Sequence, residues 1–237
     1  MRQTMRLTHP QQHTTYPPVC RLQDAAWNYM HSSGWRVLPL YGVTASGSCL
    51  CGHVRCIRPG QHIQHQEDVR LATSDFTIVR RWYEEDEHVN IGIATGDGLL
   101  VIEIDPLRGG SLEHFRQLYA VPETAMVRTE HGRWQLYFTY TRTLTLCTTT
   151  DKLGQGIVTY GEGSYVVAPP SLLPGGIARW HDSLPPVRLP AVLLPFILSP
   201  QLKSSAWLSQ EQRTSSAARE LARLLLARSE LWQAEGS

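Results

Sequence analysis

Two acidic side chains set two residues apart, Glu103 and Asp105, end an otherwise apolar run in the stretch NIGIATGDGLLVIEIDPLRGG, residues 90–110. In a β-strand alternate residues share a face, so Val101, Glu103 and Asp105 point one way and Leu100, Ile102 and Ile104 the other. The apolar side is expected to be the buried one. Carboxylates at i and i+2 stand about 7 Å apart on such a strand and repel unless solvent screens them or a cation lies between them. That spacing suits a divalent metal, and metal-dependent phosphoryl transfer needs such a pair to hold a triphosphate and an attacking hydroxyl in line. On spacing alone, the plainer reading is a half-exposed strand whose wet face is acidic.

A second constellation is Cys49-x-Cys51-x4-Cys56-x5-His62, three thiols and an imidazole within 14 residues. This is the ligand count of a closed tetrahedral zinc site, with Gly52, Pro59 and Gly60 placed to let the chain fold around an ion. His53 and His65 are alternative ligands to His62, and reduced, unligated cysteines in a surface loop are the plainer reading. With all four ligands drawn from the protein, the site would be structural and not catalytic. The other two cysteines, Cys20 and Cys147, stand alone.

A chain of 237 residues with 42% hydrophobic content is long enough for one large domain with a buried core, or for a domain with appendages. Its formal net charge of +1 gives no global attraction to nucleic acid, although of 22 Lys and Arg residues only Lys152 and Lys203 are lysines. Arginine is the better planar partner for phosphate, but such a bias also follows from genome composition. The N-terminus lacks the apolar core of a signal peptide, and no segment approaches the ~18–20 apolar residues of a membrane helix. A cytoplasmic protein with no membrane partner is expected. In such a reducing compartment, crowded cysteines point to metal more than to disulfides.

The elements that must position these residues follow from pattern. Residues 1–19 read as a mobile leader ending at Pro17 and Pro18. LQDAAWNYMHSSGW places Leu22, Ala26, Tyr29 and Met30 on one helical face, with Gly34 set to end the helix. A short strand at WRVLPL precedes the Gly-, Ser- and Cys-rich loop over residues 42–66. TSDFTIVRRWYEED reads as a helix capped by Thr73 or Ser74, with Phe76, Val79 and Tyr83 at helical spacing. Strands are expected at NIGIATG, LLVIEID, AMVRT, WQLYFTY and IVTYGEGSYVVAPP, with a helix at SLEHFRQLYA. The domain over residues 20–198 is therefore expected to be α/β in the α+β sense: a mixed sheet flanked by helices, with the cysteine loop inserted. A linker and a C-terminal helix striped with Leu221, Leu224, Leu225, Leu231 and Trp232 are expected over residues 199–237.

Six stretches recur in a recognisable order: GWRVLPL, CLCGHVRCIRPGQH, ATSDFTIVRRWY, NIGIATGDGLLVIEID, TEHGRWQLYF, and GEGSYVVAPPS followed by GGIARW. In order and spacing, the chain from Gly34 to about Trp180 resembles the N-terminal domain of bifunctional DNA primase/polymerases. These form the prim-pol branch of the archaeo-eukaryotic primase superfamily, found on plasmids, phages and integrative elements. The resemblance implies a palm-like sheet in which Glu103 and Asp105 ligate catalytic Mg²⁺ or Mn²⁺, and a structural Zn²⁺ on Cys49, Cys51, Cys56 and His62. It further implies nucleotide contacts from Arg133, Gln135 and Ser171. The expected function is template-directed nucleotidyl transfer in DNA replication, on a single-stranded DNA template with nucleoside triphosphates. A helicase, often joined to this domain, would have to come from a separate polypeptide.

The chain departs from the family's pattern at two positions. Gln135 stands where a histidine is usual, and glutamine donates hydrogen bonds without carrying charge. Val158 stands where a third acidic ligand is usual, with Tyr160 where arginine is common. Asp97, Asp151, Glu162 and His131 are the side chains that would replace the lost groups if the fold brought them near. A domain that binds DNA or a replication partner without chemistry is the alternative, and a regulator that binds nucleic acid through the zinc loop is a third reading.

Overall fold

A computed structural model of the chain describes residues 19–64, 68–129, 132–182 and 184–199. Residues 1–18 of the expected leader, the C-terminal helix, His65 and His131 lie outside the described residues, and the leader's last residue, Val19, already belongs to a helix.

The first helix, α1 (Val19–His31), buries Leu22, Ala26, Tyr29 and Met30 on the expected face and gives way to Gly34, whose φ of +66° favours glycine. Strand β1 (Val37–Leu40) follows, then the cysteine loop, then α2 (Phe76–Glu85). The cap of α2 is Asp75 and not Thr73 or Ser74: its carboxylate accepts from Thr77 N at 2.8 Å, while Thr73 Oγ1 accepts from Asp75 N at 3.0 Å. An anionic cap one residue later suits the helix dipole better than a hydroxyl does.

Strands β2 (Asn90–Ala94) and β3 (Leu99–Ile104) come next, then α3 (Leu112–Tyr119), β4 (Met126–Arg128) and β5 (Trp134–Thr139). The stretch IVTYGEGSYVVAPP divides at Gly161–Ser164 into β7 (Ile157–Tyr160) and β8 (Tyr165–Val167), with β6 (Thr149–Thr150) ahead of them. Four further two-residue strands, β9 (Leu172–Leu173), β10 (Gly176–Ile177), β11 (Arg179–Trp180) and β12 (Val187–Arg188), precede a single turn of helix, α4 (Leu194–Ile197). Such short pairings carry no periodic signal of their own.

The main sheet runs β11-β4-β5-β3-β7-β6, antiparallel throughout, and β12 makes it mixed by pairing parallel with β5. A smaller antiparallel sheet runs β1-β2-β8. One core joins Ile91 and Ile93 of the small sheet, Val101, Val127 and Tyr137 of the main sheet, and Leu22, Ala26, Val79 and Tyr83 of α1 and α2. The opposite face of the main sheet, with Leu100, Ile102, Ile104, Leu136 and Phe138, is covered by Phe115 and Tyr119 of α3 and by Leu193 and Ile197. Burying each such side chain contributes about 1.5–3 kcal/mol.

Both faces of β3 are therefore covered, which corrects the expectation of one wet face. Every residue from Leu99 to Asp105 is buried, the two carboxylates included.

Candidate functional site at the end of the central strand

Cross-strand register decides which side chains Glu103 meets. It stands opposite Gln135 of β5 on one side and Val158 of β7 on the other, so these three share a row on one face of the sheet. The two positions where the chain departs from the expected pattern are thus the immediate neighbours of the first carboxylate. The row continues through Val127 of β4 to Trp180 of β11.

Asp105 follows β3 in a clamped backbone. Its N–H donates to Gly156 O at 2.8 Å and its carbonyl accepts from Gly110 N at 2.9 Å. A Cβ on Gly156, where φ is +70°, would lie 2.6 Å from Gly110 N and 2.8 Å from Asp105 O. Glycine is required because two chain segments cross with no room for a side chain. The carboxylate is held as well: Oδ1 accepts from Leu107 N at 2.9 Å, capping the turn Pro106–Arg108. Only Oδ2 is left to face the sheet's end.

Arg133, the residue just before β5, supplies the cation that a buried carboxylate pair requires. Its Nε lies 3.0 Å from Asp105 Oδ2 and its Nη1 3.8 Å from Glu103 Oε1. The Nε–H is not aligned on any acceptor, so the contact with Asp105 is one of charge and not a directed hydrogen bond. Glu103 has further partners: Gln135 Nε2 donates to Oε2 at 3.0 Å and the Tyr160 hydroxyl donates to Oε1 at 3.4 Å. Burial, with the Glu103 charge beside it, pushes the Tyr160 phenol well above its usual range and keeps it a donor. Tyr137, fully buried, donates to Gln135 Oε1 at 3.4 Å, fixing which way that amide points.

The remaining expected residues fall elsewhere. Ser171 is fully buried, and its hydroxyl accepts from Ile91 N at 2.9 Å and donates to Ile91 O at 3.3 Å. Both bonds go to strand β2, so this placement does not support the expected nucleotide contact. Asp97 and Glu162 lie together at the far end of β3, where Asp97 pairs with Arg142 at 3.6 Å. Asp151 binds Arg108 at 3.1 Å and caps Gly156 N at 2.8 Å. None joins the carboxylate pair, and among the described residues no third acidic side chain completes a metal cluster there. Two carboxylates alone suit Mg²⁺ or Mn²⁺, which keeps several waters and takes its other ligands from substrate phosphates. The donor set fits one such ion and offers no all-protein cage.

The cysteine loop is drawn into a single cluster. Ligand atoms of Cys49, Cys51, Cys56 and His62 all lie within 4.8 Å of one another, an arrangement that could hold a metal ion. His62 Nε2 is 3.2 Å from Cys49 Sγ and 3.4 Å from Cys56 Sγ. Burial lowers the His62 pKa, favouring the neutral imidazole that ligates metal. Burial opposes ionisation of Cys49 but is outweighed by hydrogen bonds from the Gly60 and Cys51 backbone together with those from the Cys51 and Cys56 thiols, and its thiol falls below the usual range. Burial pushes Cys56 up to about 11. Crowded sulfurs thus accept a first negative charge more readily than a second, and a dication would neutralise both.

Sequence reasoning does not reach what ties this loop to the sheets. Asn90, 1% exposed, donates through Nδ2 to Gly60 O at 3.0 Å and Leu172 O at 2.7 Å, and accepts from Leu172 N at 2.9 Å. Tyr165 adds a bond to Gln61 O at 3.0 Å. An amide in an apolar strand is the available signal, since a buried Asn must find partners.

Among known proteins, the family model described as bifunctional DNA primase/polymerase, N-terminal, matches residues 26–192, a span that holds both constellations. No curated protein matches the chain.

Proposed function

Because this chain belongs to the family of bifunctional DNA primase/polymerase N-terminal domains, we propose that it is a metal-dependent, template-directed nucleotidyltransferase of DNA replication. The reaction joins a 3′ hydroxyl to the α-phosphate of a nucleoside triphosphate and releases pyrophosphate. Glu103 and Asp105 hold Mg²⁺ or Mn²⁺, which when bound supplies charge to the phosphates and aligns the attacking hydroxyl. Arg133, the counter-ion of the two carboxylates, would be the cation beside a metal-bound triphosphate. Gln135 and Tyr160 orient the Glu103 carboxylate, and the clamped backbone of Asp105 does the same for the second ligand. Cys49, Cys51, Cys56 and His62 bind a structural Zn²⁺. The observation that carries this reading is the buried carboxylate pair bridged by a guanidinium, a site already built to hold positive charge.

The second reading is a catalytically degenerate domain that binds DNA or a replication partner. Val158 beside Glu103 and the engaged amide of Gln135 favour it, since the row holds neither the histidine nor the third carboxylate that the family's pattern has there. Synthesis on single-stranded DNA, with labelled dNTPs or NTPs and Mg²⁺ or Mn²⁺, separates the two. Product from the wild type that disappears in Glu103→Ala/Asp105→Ala supports the enzyme. No product from folded protein that still binds DNA supports the degenerate module.

A further inference from the structure

Beyond the last paired residues of β4 and β5 the ladder takes one more rung. Thr129 N donates to Arg133 O at 3.0 Å and Gly132 N donates to Thr129 O at 2.9 Å, with Gly132 at a φ of +76° that favours glycine. The register that pairs Arg128 with Trp134 and Ile104 with Trp134 therefore sets Thr129 opposite Arg133, and Arg133 opposite Asp105. Alternation puts all three on the sheet face that carries Glu103. Thr129, Arg133 and Asp105 thus form the outermost row of the site, one step beyond Gln135 and Glu103.

This row is short of hydrogen-bond partners. Among the described residues, four buried side-chain nitrogen or oxygen atoms have none: Arg116 Nε, Thr129 Oγ1, Arg133 Nε and the Tyr140 hydroxyl. Two of the four are the facing pair Thr129 and Arg133, while Arg116 lies on α3 and Tyr140 follows β5 at the sheet's other end. A buried polar group is ordinarily satisfied, because an unmet one forfeits its hydration with no return. The N–H and C=O of Thr129 are both engaged in the hairpin, so the hydroxyl alone is idle. A hydroxyl can donate, and an arginine Nε–H can do nothing else. Two donors on directly opposed residues, with Cβ atoms about 4.5–5.5 Å apart, suit the oxygens of one anionic group. An anion held there stands beside Glu103 and Asp105 and is repelled unless it brings a cation with it. A phosphate chain carrying a divalent metal on its oxygens meets that condition.

We propose that the Thr129 hydroxyl is a substrate-contacting group, donating together with Arg133 Nε–H to a phosphate of the metal-bound triphosphate at the end of β3. This rests on the nucleotidyl-transfer reading above and adds to it an uncharged contact. It also assigns the unmet hydroxyl a purpose: a donor kept free in the empty site is one that substrate can claim.

The test compares the wild type with Thr129→Val, which exchanges the hydroxyl for a methyl of like size, and with Thr129→Ser, which keeps it. Each protein is titrated in Mn²⁺ with a fluorescently labelled nucleoside triphosphate, and inorganic tripolyphosphate serves as competitor. Thr129→Val should weaken both the nucleotide and the tripolyphosphate about tenfold, the effect of one hydrogen bond to a charged group, and Thr129→Ser should recover most of that loss. Affinity for Mn²⁺ alone should stay within about twofold, since the carboxylates that take the ion are intact. Without ligand, Thr129→Val should melt at or above the wild-type temperature, because it removes a buried hydroxyl that has no partner; a threonine with a structural bond would lose stability instead. The proposal is overturned if the wild type binds the nucleotide and Thr129→Val binds it within twofold, if Thr129→Ser loses as much as Thr129→Val, or if Thr129→Val melts below the wild type. In each of those cases nucleotidyl transfer at Glu103 and Asp105 still stands. If instead the wild type binds no nucleoside triphosphate in Mn²⁺, or Glu103→Ala/Asp105→Ala binds it equally well, that reading fails and this inference with it.

Discussion

Arg133→Ala tests whether a guanidinium substitutes for metal at the carboxylate pair. At an effective dielectric of about 20, unit charges at these separations attract by roughly 4–6 kcal/mol each. That figure is a ceiling, because the Arg133 side chain is 35% exposed and solvent screens it. Removing one partner of a fully buried pair costs about 3–5 kcal/mol, and an exposed pair is worth about 0–1 kcal/mol. Two buried carboxylates facing a partly exposed arginine fall between, so we expect a loss of about 2 kcal/mol, or a fall in Tm of about 4–8 °C for a chain of this size. Divalent metal should then act with opposite sign on the two proteins' difference. With the guanidinium gone, Mn²⁺ binds tighter, and at 100 times Kd it returns about 2.7 kcal/mol. The assay is thermal melting with and without Mn²⁺, with metal affinity from calorimetry. Arg80→Ala is the control, since Arg80 pairs with Glu84 at 3.1 Å on the exposed surface of α2 and should shift Tm little. If Arg133→Ala and Arg80→Ala melt together, and Mn²⁺ lifts both as it lifts the wild type, the guanidinium is not compensating the carboxylates.

Three other outcomes follow from the same geometry. Val158→Asp places a third carboxylate beside Glu103; it should lower Tm in the absence of metal and tighten Mn²⁺ binding about tenfold, some 1.4 kcal/mol, by calorimetry. Asn90→Ala strips partners from Gly60 O, Leu172 O and Leu172 N; denaturant unfolding should show a loss of about 2–4 kcal/mol, and Asn90→Asp should not rescue it, because a carboxylate cannot donate to carbonyls. Elemental analysis of tag-free protein should find one zinc per chain, and Cys51→Ser should reduce that content together with Tm.

Much of this arrangement is legible from pattern because the signals are local. The alternation of LLVIEID is a property of one strand, and it assigns Glu103 and Asp105 to one face without reference to any partner. Spacing within a loop likewise gathers Cys49, Cys51, Cys56 and His62. What stays out of reach depends on register between distant segments. Nothing in VTY or RWQ says that Val158 and Gln135 flank Glu103, since that follows from pairing strands more than 30 residues apart on one side and 50 on the other. Burial of the acidic face is hidden for a related reason: α1, α2 and the small sheet cover it, and β3 alone cannot reveal what packs on top. The motif around Ser171 points to a nucleotide contact, whereas its hydroxyl closes a bond to a strand 80 residues earlier.

Asn90 links the cysteine loop to strand β9 through a single side chain, and this has a kinetic consequence. Because Gly60 and Leu172 share that amide, the loop and the turn before β9 should open together as one cooperative unit. The main sheet, held by other contacts, should stay closed while they do. Hydrogen exchange would then show the Leu172 amide losing protection when metal is withdrawn, at a site well removed in sequence from any cysteine, while Ile102 and Leu136 keep theirs.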